Sequence, residues 1–311
     1  MAQTGGFLYD RGGGIMRKIG AHVSAAGGPH RAVERAKDIG CNCVQVFSGS
    51  PRVWRRKPIE QIDFDAAASA VETTGVSPIV THSLYLINLA SEDPDLVRKS
   101  RDVLVYDMQF DAAIGGGGIV VHLGSHQRRG WDAVKDAVVR LVSEIIEASP
   151  PEAHFLIENS AGQSGKLSSD LAEIRWLLDT VAAPNLKWCF DTCHAHAAGY
   201  ALGAPGSNPA RNDPDASAPT EVRYAIDEID RLELWDDLTC IHVNDSRDPF
   251  DSGRDRHDNI GEGLIPPDDM AHFLNIPQVL DLPCFLEVPG LDGDGPDAEN
   301  VRRLAAIVGA S

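Results

Sequence analysis

Eight short apolar runs, each followed by a helix-length stretch, constrain the fold of this chain more than any other feature. The runs occupy residues 18–23, 41–47, 78–82, 119–122, 154–158, 187–191, 239–243 and 284–288. Each is nearly all apolar, as expected of a strand in a parallel sheet with both faces covered. Between them, segments such as 32–39, 96–113, 131–148, 170–181 and 222–234 carry apolar residues at helical spacing. Eight strand–helix repeats over about 290 residues predict a single-domain α/β fold, the (β/α)8 TIM barrel. An open doubly wound sheet is the alternative, but the regular repeat favours closure. The spacing breaks once, at the Pro/Gly-rich stretch 204–220 (APGSNPARNDPDASAPT), which reads as a loop insertion on the surface. Residues 1–16 are Gly-rich and lack the basic and apolar regions of a signal peptide. They read as a frayed extension in front of a barrel domain spanning 17–311, with Met16 as an alternative start.

Charge narrows the setting. Against 28 Lys+Arg stand 46 Asp+Glu, a formal net charge of −18. The acidic side is 31 Asp to 15 Glu and the basic side 21 Arg to 7 Lys, which suggests a surface that stays soluble at high salt. A melting temperature that fell as KCl was raised would contradict that expectation. Charge is spread through apolar segments, which excludes global disorder. No stretch approaches the roughly 18 apolar residues of a membrane span. Six cysteines without a CxxC pair read as buried thiols in a reducing cytoplasm. The net charge argues against a nucleic-acid partner, because phosphate-binding domains are usually basic.

The strand ends argue otherwise. From the third run onward, nearly every strand finishes in a residue able to ligate a metal: His82, His122, Glu158, Asp191, His242 and Glu287. In a barrel of this kind those positions lie at the C-terminal mouth, where active sites are built. One such histidine is most often a solvated strand end. Six together imply cations, since a ring of buried carboxylates would otherwise repel. Asp191 and His194 lie three apart just past the sixth strand, and Asp255 and His257 flank Arg256 in the loop after the seventh. The set is then five His and four carboxylates, more than one tetrahedral ion needs. Its imidazole content suits zinc better than magnesium, with manganese or iron as alternatives.

The loop after the second strand, Ser50-Pro51-Arg52-Val53-Trp54-Arg55-Arg56-Lys57, concentrates four cations and an aromatic in an otherwise acidic chain. Tyr85 and Leu86 follow the third strand, and Arg254 and Arg256 the seventh. Cations interleaved with aromatics are the composition of a nucleic-acid surface. The alternative is a helix start with surface arginines and Trp54 packed inward.

With these residues in view, the chain resembles endonuclease IV, the zinc-dependent apurinic/apyrimidinic endonuclease family. The resemblance runs from about Lys18 to the last helix. It rests on IGAHVSAAGG (19–28), PRVWR (51–55), YLINLAS (85–91), HLGSH (122–126), IENSAGQ (157–163), DTCHAHAAGY (191–200), HVNDS (242–246), DRHDNIGEG (255–263) and LEVPG (286–290). It implies three zinc ions at the barrel mouth, manganese being possible at some positions. His82 and His122 would hold the first and Glu158 would bridge first and second. Asp191, His242 and Glu287 would complete the second, and His194, Asp255 and His257 would hold the third. Arg52, Trp54, Tyr85, Leu86 and Arg256 would face DNA.

The implied activity is hydrolysis of the phosphodiester 5′ to an abasic site in damaged double-stranded DNA. A hydroxide between two zinc ions, beside Glu158, would attack the phosphorus and leave 3′-hydroxyl and 5′-deoxyribose phosphate ends. Trimming of blocked 3′ ends, a monomeric state, a cytoplasmic location and no membrane partner complete the expectation. Ser50 replaces the Asn that many relatives carry in the second loop, and Val288 replaces a family threonine. Neither is a ligand position. The rivals are a two-metal sugar isomerase on the same barrel and a lesion-binding or metal-binding protein that has lost catalysis. The basic second loop and the DRH motif speak against the first, and the full ligand set against the second.

Overall fold

The computed structural model describes residues 17–309; the expected extension at 1–16 lies outside the described residues. Eight parallel strands close into a barrel in chain order, each hydrogen-bonded to its sequence neighbours and the last to the first. They are Ile19–His22, Cys43–Phe47, Ile79–His82, Ile119–Val121, Phe155–Glu158, Leu186–Asp191, Leu238–His242 and Cys284–Leu286. All eight apolar runs are therefore strands.

The outer layer includes Pro29–Asp38, Phe64–Thr74, Pro94–Ile114, Lys135–Glu147, Leu171–Val181, Ala225–Arg231, Pro267–Leu274 and Ala298–Ile307. Aspartates at 63, 93, 170 and 297 cap four of these helices by accepting a backbone N–H from the first turn. Part of the aspartate excess is thus local helix chemistry. Gly75 and Gly115 take the left-handed conformation that ends two of the helices. Residues 204–220 hold no helix or strand. A two-residue parallel ribbon, Tyr200–Ala201 with Arg223–Tyr224, ties the chain on either side of them. No helix among the described residues is long and apolar enough to cross a membrane, and all six cysteines are buried free thiols.

The main core lies between strands and helices. A second cluster fills the barrel itself: Cys43, Val80, Val120, Leu156, Cys189, Cys240 and Phe285. These are one residue from each of seven strands. The eighth strand contributes Gly20, paired in register with both Cys43 and Phe285. A Cβ on Gly20 would lie 2.7 Å from the Cys43 sulfur and 2.8 Å from the Phe285 ring, so only glycine closes this layer. Side chains alternate across a strand, so the next inward residue is two positions on. Adding two to each member gives His22, Gln45, His82, His122, Glu158, Asp191, His242 and Glu287. The apolar floor thus dictates a polar ring directly above it.

Asp111, on the helix Pro94–Ile114, accepts from the Thr81 hydroxyl at 2.7 Å and from the Gly118 N–H at 2.9 Å, pinning that helix to the third strand and to the residue that leads into the fourth. Burial pushes its carboxyl up to about 7 from 3.8. The folded state then binds this proton more tightly than the unfolded one, so stability is lost as pH rises between those values. The slope from this one group is about 1.4 kcal/mol per pH unit. Denaturant unfolding of Asp111→Asn across that window should show the slope flattened by that amount.

Candidate metal centre

The nine candidate ligands converge at the C-terminal mouth. His82, Glu158, Asp191 and His242 are the last residues of their strands, while His122 and Glu287 follow theirs by one. His194 lies on the short helix Thr192–Ala197, whose first turn is capped by Asp191 accepting from the His194 N–H at 2.7 Å. Asp255 and His257 arrive on the loop after the seventh strand, where His257–Asp258 pairs antiparallel with Asp245–Ser246.

Glu158 is the centre of the cluster. Its Oε2 lies 3.4 Å from His82 Nε2 and 3.1 Å from His122 Nε2. Its Oε1 lies 3.3 Å from His194 Nδ1 and 2.9 Å from His242 Nδ1. Asp255 Oδ1 lies 3.1 Å from His194 Nε2 and 3.5 Å from His257 Nε2, and Asp191 Oδ2 lies 3.7 Å from His257 Nε2. Four overlapping groups could each hold an ion: His82/Glu158/His242/Glu287, His122/Glu158/His194, Asp191/Cys193/His257 and His194/Asp255/His257. The last is the trio that the resemblance assigns to a third ion. His82 stands with His242 and Glu287, and Asp191 with His257. Cys193 is an addition that sequence reasoning left out. Burial holds its thiol well above the ordinary range, so it meets the cluster protonated.

Four imidazoles direct one ring nitrogen to an outward carbonyl oxygen. His82 Nδ1 faces the Ser83 carbonyl at 2.7 Å and His194 Nδ1 the Asn159 carbonyl at 2.9 Å. His257 Nδ1 faces the Glu287 carbonyl at 3.3 Å, and His242 Nε2 the side-chain oxygen of Gln45 at 2.8 Å. A carbonyl only accepts, so these nitrogens carry the protons. In a neutral ring the other nitrogen then presents a bare lone pair to the carboxylates. Lone pairs facing carboxylate oxygens at these distances repel unless a cation stands between them. That is the orientation of metal-binding histidines. Glu158 Oε2, His122 Nδ1 and His257 Nε2 are buried and have no hydrogen-bond partner among the described residues. The donor set fits divalent ions of mixed N/O preference.

Proton affinities express the same frustration. Burial would lower His242, yet the charges of Glu287 and Glu158 hold it up to about 10. His194 rises well above its usual range against the same burial, through Asp191 and Asp255. Burial opposes ionisation of Glu158, but His122 and His242 hold it well below the carboxylate range. Burial takes His122 down to about 4, leaving it a neutral donor. Without another cation the cluster must hold protons, and ions and protons compete for one set of donors.

Sequence reasoning missed His22 and Gln45, the two remaining members of the polar ring. Gln45 donates to Glu287 Oε1 at 2.6 Å while accepting from His242, so one carboxamide orients two candidate ligands. His22 Nδ1 lies 3.1 Å from the same Glu287 oxygen. The two-residue offset from the barrel floor would have found both. Gln45→Leu should weaken zinc retention roughly 10–100-fold, read by competition with a chromogenic chelator.

The candidate DNA-facing residues divide. Arg52 is exposed, Tyr85 is 62% exposed and Leu86 38% exposed. Trp54 is half-buried and packs on the core. Arg56 turns inward, its Nε 3.5 Å from the fully buried Asp107 carboxylate and its Nη1 donating to the Val53 carbonyl. The arginine thus folds the loop that displays Arg52. Arg256 makes paired contacts with Asp248 from an exposed position. His82, Tyr85, His122, His194, Asp255, His257 and Glu287 line a cleft of about 270 Å³.

Comparison with known proteins places this arrangement. The family described as "Xylose isomerase-like TIM barrel" matches residues 33–307. "Probable endonuclease 4" of Methanoculleus marisnigri is 34% identical over 294 residues, covering 94% of this chain and 99% of the relative. "Probable endonuclease 4" of Haloarcula marismortui is 33% identical over 297 residues, covering 94% and 100%. The crystal structure of endonuclease IV from Thermus thermophilus superposes with a TM-score of 0.76 at 29% identity, over 94% of this chain and all of that one. Barrel, mouth and relatives agree: this chain belongs to the endonuclease IV family.

Proposed function

We propose that this chain is a DNA-repair endonuclease that hydrolyses the phosphodiester bond on the 5′ side of abasic sites in duplex DNA. Its products are a 3′-hydroxyl and a 5′-deoxyribose phosphate, and the same site trims blocked 3′ ends. The observation that carries the reading is the four imidazoles turned by outward carbonyls toward shared carboxylates, in a chain of this family. Three zinc ions, with manganese as a substitute at some positions, match the donor set. Divalent ions so held would acidify water from 15.7 to about 7 and offset charge on a reacting phosphoryl group.

The chain's own residues perform the remainder. Glu158, with imidazoles on both oxygens, holds the two halves of the cluster at fixed separation. His242 and Glu287 are kept in place by Gln45, so little reorganisation accompanies substrate binding. Tyr85 and Leu86 stand exposed beside the cleft, the Tyr85 ring held edge-on against Phe47 at 5.4 Å between centroids. They would enter the duplex next to the lesion, with Arg52 on the phosphates. A nucleotide without a base has lost its stacking and pairing, so moving its sugar into a small cleft costs least there. A cleft of about 270 Å³ suits a base-free sugar phosphate.

The test is a duplex with a single abasic site beside an undamaged duplex, with free aldoses as a parallel substrate. The reading predicts one nick, at the lesion, whose 3′ end a polymerase extends directly. Aldose conversion with both duplexes intact would replace it with the isomerase reading.

A further inference from the structure

Resting on the endonuclease reading, we propose that Lys166 is a further substrate-contacting residue, whose ammonium binds a phosphate oxygen of the strand held at the metal cluster. Among the described residues it is the one lysine or arginine in ion-pair contact with any carboxylate of the nine. Its Nζ lies 3.2 Å from Asp255 Oδ2. Asp255 turns its other oxygen, Oδ1, to His194 and His257. The ammonium is therefore one carboxylate removed from the position where an ion would sit.

An ammonium has three donors, and the contact with Asp255 takes one. The others have no protein acceptor among the described residues, and the side chain remains 29% exposed beside Asp255, which lines the cleft. A cation held beside a mouth built for an anion, with free donors, is equipped to bind a phosphoryl oxygen. Lysine serves this as a compact point charge.

The backbone keeps the side chain there. Lys166 forms an antiparallel bridge with Ser125, on the loop that follows His122. His126 donates to the Gly165 carbonyl at 3.0 Å, Leu167 to the Gly124 carbonyl at 3.0 Å, and the Ser125 hydroxyl to the Ser164 carbonyl at 2.6 Å. Ser164 and Gly165 both adopt positive φ to make the turn. This two-loop ladder fixes Lys166 on the flank of the cluster formed by His194, Asp255 and His257. Arg256, next to His257 in the chain, is instead paired with Asp248. The phosphate contact on this flank thus falls to Lys166.

Lys166→Met and Lys166→Arg test it, each compared with wild type for metal content, for binding of an uncleavable abasic-analogue duplex across KCl concentrations, and for single-turnover incision. The proposal expects Lys166→Met to keep the wild-type metal count and to lose roughly 10–100-fold in incision, the scale of a charge-assisted hydrogen bond. Its log Kd against log[KCl] slope should shrink by about 0.9, one phosphate contact, and Lys166→Arg should recover much of both. A lower metal count in Lys166→Met with incision restored by added zinc would overturn it, reducing Lys166 to a support for Asp255. Unchanged incision and salt slope would overturn it too. Wild type in the same assay separates the questions: if it leaves the abasic strand intact, the endonuclease reading itself fails, whereas wild-type incision with an unaffected Lys166→Met removes only the lysine's role.

Discussion

Glu158→Gln should abolish abasic-site incision, by about 10³-fold or more, while the barrel stays folded. The side chain is buried and faces four imidazoles, two on each oxygen. The amide keeps the size but removes the charge and leaves one oxygen, where the carboxylate had two, for ions lying between it and the imidazoles. Each ion sharing that carboxylate would be weakened together, and loss of several kcal/mol of charge stabilisation corresponds to at least that factor in rate. Single-turnover incision with metal count per chain measures both consequences. Near-wild-type incision at full metal content would show that Glu158 is not the centre of the chemistry.

Removing metal should be the second large effect. The stripped chain leaves carboxylates and imidazole lone pairs opposed in a buried cluster, with Glu158 Oε2 and His257 Nε2 lacking partners among the described residues. Ions that bind only the folded state stabilise it by mass action, about 4 kcal/mol at a thousand-fold excess over Kd. For a chain of this size that is a melting shift of about 6 °C. Calorimetry of loaded and stripped protein should show it, with stripping easier in acid because protons compete for the same donors. Equal melting temperatures would mean that the cluster holds no ion that matters to the fold.

The barrel was legible because parallel strands covered on both faces are written as nearly unbroken apolar runs, and all eight stood out. Helices with sharp apolar spacing, such as Lys135–Glu147, were equally clear. Phe64–Thr74 was not singled out, since its alanine-rich sequence FDAAASAVETT gives little contrast between faces. The ligand set was visible because a polar residue at the end of an apolar strand is conspicuous. His22 also ends an apolar run, but the second strand breaks the series and left it isolated from the others. Gln45 was hidden inside its strand, where a carboxamide between valines has no signal of its own. Only the closed barrel, with the Cys43 layer beneath, puts it at the height of His242.

The second loop shows the limit most plainly. Four cations in eight residues read as one surface, yet Arg56 is drawn inward by Asp107, some fifty positions away in sequence, and Trp54 packs on the core. Burial pushes Asp107 up to about 6, but it retains this arginine and the Ser48 hydroxyl as partners. Local composition located the loop, while tertiary contacts decided which residues it presents. The net charge of −18 is likewise a poor guide to partners, since it averages a capped and acidic exterior with a mouth built to hold cations.

The decisive measurement is a zinc titration of metal-stripped protein, with incision of a single-abasic-site duplex followed as zinc per chain is counted. The stripped chain should not incise, and incision should appear as the cluster fills toward three zinc ions per chain. An abasic strand left intact at full zinc loading, or one cut equally well by the stripped chain, would contradict the metal-dependent endonuclease proposed here.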